Sequence, residues 1–217
     1  HRYIRRQRQM CIRDSYKLAY KVYYIILRFL FTNTYKLYYY KKNIMISMKL
    51  SNEDRDKSDI SDDEIFYQQP RFVHHLSDSF RTRLTSLYSE YLLNHHIILD
   101  LMSSWVSHLP TNIRYKKVIG HGMNQAELSS NERLDSFFVQ NLNKKQNMPI
   151  EDSSIDVGLI VAGWQYLQYP EKVSLELSRI IKSDSLLIIS FTNRAFWTKA
   201  PNIWTCLLYT SDAADEC

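Results

Sequence analysis

The side chains best suited to chemistry in this 217-residue chain are few, and most of the obvious reactions fail on them. His74-His75 and His95-His96 invite a metal reading. Adjacent histidines point in different directions on a helix or a strand, and no carboxylate or thiolate stands at ligand spacing, so no metal site is expected. There is no Gly-x-Ser-x-Gly elbow. The three cysteines, Cys11, Cys206 and Cys217, lie near the ends, so the middle of the chain has no thiol nucleophile and no four-thiolate zinc site. Only four glycines are present, too few for a Gly-rich phosphate loop. The remaining candidates are short polar segments that follow apolar runs. Asp100 ends one run and leads into Met102-Ser103-Ser104-Trp105; Gly120 and Gly122 follow a second, Asn141 a third, and Gly163-Trp164-Gln165-Tyr166 a fourth. His121 and His75 are the conceivable general bases.

The elements that must position these segments read as an α/β domain. Ile97 to Leu101, Lys117 to Gly120, Ser136 to Gln140, Asp156 to Ala162 and Ser185 to Phe191 are short apolar runs of the kind that form buried parallel strands. Helical stretches lie between or before them. Asp78 is a candidate cap for a helix to about Leu93, whose Phe80, Leu84, Leu87 and Tyr91 make one apolar face. Asn124 is placed to cap a helix to Ser129, and Pro170 opens another to Lys182 at a favoured first-turn position. Strands alternating with helices imply a parallel sheet with right-handed crossovers, and such sheets bind ligands at the carboxyl ends of their strands.

Composition permits a core, with 45% apolar and 13% aromatic residues. The net charge of +5 suggests a nucleic-acid partner until it is mapped along the chain. Residues 1–47 carry eleven basic side chains against the single acid Asp14, whereas residues 48–205 are mildly acidic. No nucleic-acid partner is therefore expected. Residues 5–15, back-translated and reverse-complemented, give a DNA string that in another frame encodes Cys206 to Asp215. Both ends thus read as one transposase adapter on opposite strands; a true inverted repeat is the competing reading. With the AT-rich run to residue 47, the segments 1–47 and 206–217 are expected to be translated adapter and upstream sequence. A membrane helix from about Tyr16 to Phe31 is the alternative there, but Lys21 and Arg28 leave only six uncharged residues between them. No membrane partner is expected. Residues 48–64, polar and charged, are expected to be a mobile arm.

The motifs within 65–205 resemble those of class I S-adenosylmethionine-dependent methyltransferases, of the type 11 group. The similarity runs through LDLMSSWVSHLP (Leu99 to Pro110), VIGHGMNQAEL (Val118 to Leu128), FFVQNLN (Phe137 to Asn143), MPIEDSSIDVGLIVAGWQYL (Met148 to Leu167) and FTNRAFWTKA (Phe191 to Ala200). It implies a Rossmann-like, doubly wound parallel sheet that stops after about five strands, leaving Ser185 to Phe191 as an unpaired hydrophobic edge.

The resemblance also implies S-adenosyl-L-methionine as cofactor, with Asp100, Met102, Ser103, Ser104, Gly120, Gly122, Met123, Asn141 and Leu142 around it. Trp164, Gln165 and Tyr166 are expected in the pocket of a small-molecule substrate. Tyr67 and Arg71 are expected in a lid above it, with Arg71 meeting the cofactor carboxylate or a substrate anion; the competing reading for Arg71 is a surface salt bridge. Three departures stand out. The Gly-x-Gly loop is Met102-Ser103-Ser104-Trp105, the ribose acid is Gly122, and the adenine acid is Asn141. Each lost charge-assisted contact is worth about 1.5 to 3 kcal/mol, or about ten- to a hundred-fold in affinity. Two further readings are open: a non-catalytic binding or structural protein on the same fold, and a nicotinamide enzyme, which lacks its Gly-rich fingerprint here.

Overall fold

The computed structural model describes residues 23–28, 50–191 and 195–204. Six strands form one sheet: β1 (Tyr23–Arg28), β2 (Ile97–Leu101), β3 (Lys117–Gly122), β4 (Ser136–Val139), β5 (Ile155–Val161) and β6 (Ile181–Phe191). The five strands from β2 onward are parallel and lie in the order β4-β3-β2-β5-β6. Third, second, first, fourth, fifth is the doubly wound, Rossmann-like order, with its switch point beside β2.

The helices are α1 (Asn52–Arg55), α2 (Asp63–Phe66), α3 (Asp78–Tyr91), α4 (Gln125–Ser129) and α5 (Pro170–Ile180). Side chains alternate across a strand, so β2 feeds both faces of the sheet. Ile98 packs with Val118, Val157, Leu159 and Ile188 under Phe80, Leu84, Leu87 and Tyr88 of α3. Leu99 and Leu101 pack on the other face with Ile155, Ile160 and Leu187 under Val173, Leu177 and Ile180 of α5. Fully burying each such side chain contributes about 1.5–3 kcal/mol.

Local chemistry explains most boundaries. Asn124 caps α4 as expected, its side chain accepting from the Glu127 N–H at 3.0 Å. Pro170 occupies the first turn of α5. The cap of α3 is Ser77, one residue ahead of Asp78, with its hydroxyl accepting from the Phe80 N–H at 3.3 Å. β6 begins at Ile181, before the expected Ser185, because Ile181 already pairs with Ile155. The register then shifts so that Leu186 faces Val157, and Asp184 adopts a φ of 59°.

Two expectations are corrected. The β6 edge is paired: β1 lies antiparallel along it, from Tyr23 opposite Phe191 to Arg28 opposite Leu186. A hydrophobic edge with open N–H and C=O groups accepts a run rich in Tyr and Ile, and this span is therefore strand and not helix. The rest of 1–47 and all of 206–217 lie outside the described residues. The polar arm is folded from Ser51 onward. A reciprocal Ser51–Asp54 capping box starts α1, Arg55 pairs with Glu171 at 2.9 Å, and Lys57 bridges Pro201. Arg55 and Asp59 meet partners more than a hundred residues away, Glu171 and Lys199, which composition does not reveal. Among the described residues no helix is long and apolar enough to cross a membrane.

Candidate functional site

Where the strand order reverses, the loops after β2, β3 and β5 part, and a cavity of about 510 Å³ opens above their carboxyl ends. Its floor is set by β2. Alternation turns Asp100 to the α3 side, where it is 5% exposed and accepts from the Ser103 and Ser107 hydroxyls at 2.7 and 2.5 Å. Burial pushes its carboxyl above the usual carboxylate range, and the two hydroxyls oppose that shift. Tyr88 of α3 also lines the cavity, with its hydroxyl buried and without a partner among the described residues.

The loop after β2 leans on β3. The Met102 N–H donates to His121 Nδ1 at 3.1 Å, the Ser103 N–H donates to the His121 carbonyl at 2.7 Å, and His121 Nε2 contacts the Gln140 carbonyl at 2.9 Å. With Nδ1 accepting, Nε2 carries the proton and donates. Burial lowers the His121 pKa to about 4. A neutral imidazole with both nitrogens engaged is a clip between two loops, not the general base considered above. Gly122 permits this approach, since a Cβ there would lie 2.6 Å from the Ser103 carbonyl oxygen. Met102, at φ 59°, lies over Gly163, where a Cβ would come 2.8 Å from its own.

Further round the cavity, Ser104 donates to Glu127 Oε2 at 2.6 Å, and Met123 and Leu142 supply apolar wall. Asn141 uses its side-chain oxygen to accept from the Asn143 N–H at 2.9 Å. Its amide nitrogen has no protein partner among the described residues.

The chain ahead of α3 forms the cap. Asn124 donates to the carbonyls of Tyr67 and Gln68 at 2.9 and 3.0 Å, and Glu127 Oε1 accepts from the Arg71 N–H at 2.7 Å. Burial raises the Tyr67 and Tyr166 phenols, and Tyr166 accepts from the Phe196 N–H at 2.9 Å. Lys199, 1% exposed, donates to the carbonyl and hydroxyl of Ser61 at 2.7 and 2.8 Å and lies 3.1 Å from Asp59. Lys57 pairs with Asp63 at 2.7 Å.

Of the residues singled out in the sequence, Asp100, Met102, Ser103, Ser104, Gly122, Met123, Asn141, Leu142, Tyr67, Arg71 and Tyr166 line this one cavity. Gly120, Trp164 and Gln165 do not. Gly120 makes room for Leu134, whose Cδ1 would stand 2.3 Å from an added Cβ. Trp164, Gln165 and Tyr166 form one 3₁₀ turn, whose side chains step by about a third of a turn, so they face different ways. Trp164 goes to the α5-side core, and Gln165 donates to the Ala162 carbonyl at 2.9 Å, its buried oxygen having no partner among the described residues. His74 stacks on Trp105 at 4.8 Å, and His75 meets the Phe196 ring at 5.6 Å. Among the described residues no three His, Cys, Asp or Glu side chains are grouped to hold a metal ion. Glu127, Lys199 and the amide of Asn124 were not anticipated as part of the site. The one local signal was the position of Asn124 as a helix cap.

No family model matches the chain, and no curated protein matches it. Solved structures do resemble it. A SAM-dependent methyltransferase from Aquifex aeolicus aligns over 64% of this chain and 88% of its own, at 18% identity and a TM-score of 0.41. The [4+2]-cyclase SpnF aligns over 68% and 61% at 17% identity and a TM-score of 0.47. The YcgJ protein from Bacillus subtilis aligns over 50% and 49% at 16% identity and a TM-score of 0.42. The chain thus spans about half the length of YcgJ and three fifths of the cyclase. At these identities the likeness concerns the fold alone.

Proposed function

We propose that the protein is an S-adenosyl-L-methionine-dependent methyltransferase acting on a small molecule. The observation that carries this reading is the floor of the cavity. Among the described residues, Asp100 at the end of the first parallel strand is a buried carboxyl without a counter-cation, and Tyr88 of α3, lining the same cavity, has a buried hydroxyl without a partner. The cofactor brings two cationic groups, an ammonium and a sulfonium. An ammonium suits this acceptor pair, and the faces of Tyr67 and Tyr166 suit a sulfonium.

Asp100 would act together with the Met102–Ser104 loop, Met123 and Leu142 would supply apolar contact, and Asn141 would offer its amide to the adenine. Gly122 supplies no ribose acid, and the Ser103 carbonyl leaves no space for a side chain there. The residues therefore fit the cofactor with one contact missing. When bound, the sulfonium supplies an activated methyl group. The chain's own contribution is to bind, to orient and to exclude water beneath the cap, which favours an in-line transfer.

Titration calorimetry of the folded chain with S-adenosylmethionine and S-adenosylhomocysteine tests this. Saturable binding of both is expected, weakened about tenfold by Asp100→Asn through loss of the charge. No heat at millimolar ligand would overturn the reading.

A further inference from the structure

The cations that line the cavity are matched by acids, with one exception. Lys57 pairs with Asp63, Lys199 with Asp59 and Asp63, and Arg81 with Asp78. No carboxylate lies within 4 Å of the Arg71 guanidinium among the described residues. Its one side-chain hydrogen bond runs from Nη2 to the Phe66 carbonyl at 2.8 Å. Glu127 touches Arg71 only through the main-chain N–H, and its other oxygen accepts from Ser104.

The guanidinium is held by rings instead. Its central carbon lies 4.4 Å from the Phe66 ring centre and 5.7 Å from those of Tyr67 and Phe196. A guanidinium has five N–H donors in a planar fork, so four remain for a ligand. Aromatic faces hold such a group in place without neutralising it. The natural complement is a planar carboxylate bound by two parallel hydrogen bonds. A phosphate dianion would call for a second cation, and Lys57 and Lys199 are already committed to acids.

We propose that Arg71 is the anion-binding residue of an acceptor subsite, and that the acceptor carries a single carboxylate on a flat apolar body. Tyr67, Tyr166 and Phe196, which line the cavity, give that body its walls, with Tyr166 and Phe196 ring centres 6.3 Å apart. The word acceptor rests on the methyltransferase reading; the anion site itself does not.

The test is calorimetry on the full chain with benzoate and its uncharged analogue benzamide, with and without saturating S-adenosylhomocysteine. Benzoate is expected to bind at least tenfold tighter than benzamide. Arg71→Met is expected to abolish that preference and leave S-adenosylhomocysteine affinity within twofold, while Arg71→Lys keeps part of it. Equal binding of the two probes, or of neither, by the wild-type chain would overturn the proposal, as would a preference that survives in Arg71→Met. If S-adenosylhomocysteine affinity falls in Arg71→Met and benzoate shows no preference, Arg71 serves the cofactor and the acceptor subsite is refuted. If Arg71→Met does not fold, the wild-type ratio and Arg71→Lys decide. A wild-type chain that ignores S-adenosylhomocysteine yet prefers benzoate would remove the methyltransferase reading and keep the anion site.

Discussion

The loop that joins Asp100 to His121 and the segment that covers it are held by different kinds of bond. On the floor, Asp100, Ser103, Ser107, Met102 and His121 are connected by hydrogen bonds without an ion pair. In the cap, Lys57, Asp59, Asp63 and Lys199 form a charge cluster, and Arg71 rests on three rings. Buried hydrogen bonds form with the sheet and are screened little by salt. The charges of the cap join distant segments, Lys199 to Asp59 and Asp63, and of these only Asp59 is as much as a third exposed, so salt screens the cluster little.

Acid separates the two regions most strongly. His121 is buried and neutral, with its pKa lowered from 6.5 to about 4. An unfolded chain binds that proton first, so the contribution of His121 is complete above pH 6.5 and is lost as pH falls towards 4. The loss amounts to about 3 kcal/mol at the low end of the window. His108, lowered to about 4 by burial and by Arg81 and His74, adds in the same direction. In the cap, hydrogen bonds from Ser61 and Lys199 hold Asp59 at about 2, so its contribution persists until pH falls below the ordinary carboxylate range. Melting temperatures recorded from pH 7 to 3 should drop first through the histidine window. His121→Gln should flatten that slope by one proton. An unchanged slope in the variant would place the acid sensitivity elsewhere.

Next in size is Lys199→Met. Asp63 would then keep Lys57 while Asp59 loses its cation, and removing one partner of a buried pair costs several kcal/mol; with Asp59 about a third exposed, about 2 kcal/mol is expected. Hydrogen exchange should show residues 57–66 losing protection while β2 retains it. Equal loss in both segments would mean that cap and floor unfold as one unit.

The smallest effect is expected at Lys144, whose pairs with Asp62 and Glu64 at 2.7 and 3.0 Å are half exposed. Lys144→Ala should leave the melting temperature within error. A clear destabilisation would show that even the rim of the cap depends on charge.

Legibility in the sequence divides along the same line. The five parallel strands, the Asn124 cap and the Pro170 start were readable, because each follows from neighbours within a few positions. Asp100 and the Met102–Ser104 loop could be placed at a ligand site because strand ends are where such sheets bind. The fate of 48–64 was not readable. A polar, acidic composition describes a mobile arm equally well until Lys199 is seen to reach Ser61 across 138 positions. Nor was the division within Trp164-Gln165-Tyr166, since a single 3₁₀ turn has no period long enough to show which face is inward.

By itself, the order of apolar runs and polar crossovers determined a parallel α/β sheet and the strand ends at which a ligand would sit. Periodicity and turn chemistry are local, and they survive in one dimension. Only the tertiary structure decided that His121 is a clip and not a base, that β1 covers the β6 edge, and that the Arg71 guanidinium at the cavity has no carboxylate within 4 Å among the described residues. Each of these depends on which groups are brought within a few ångströms after the chain has folded. Burial and electrostatic pairing are properties of those distances and not of residue type.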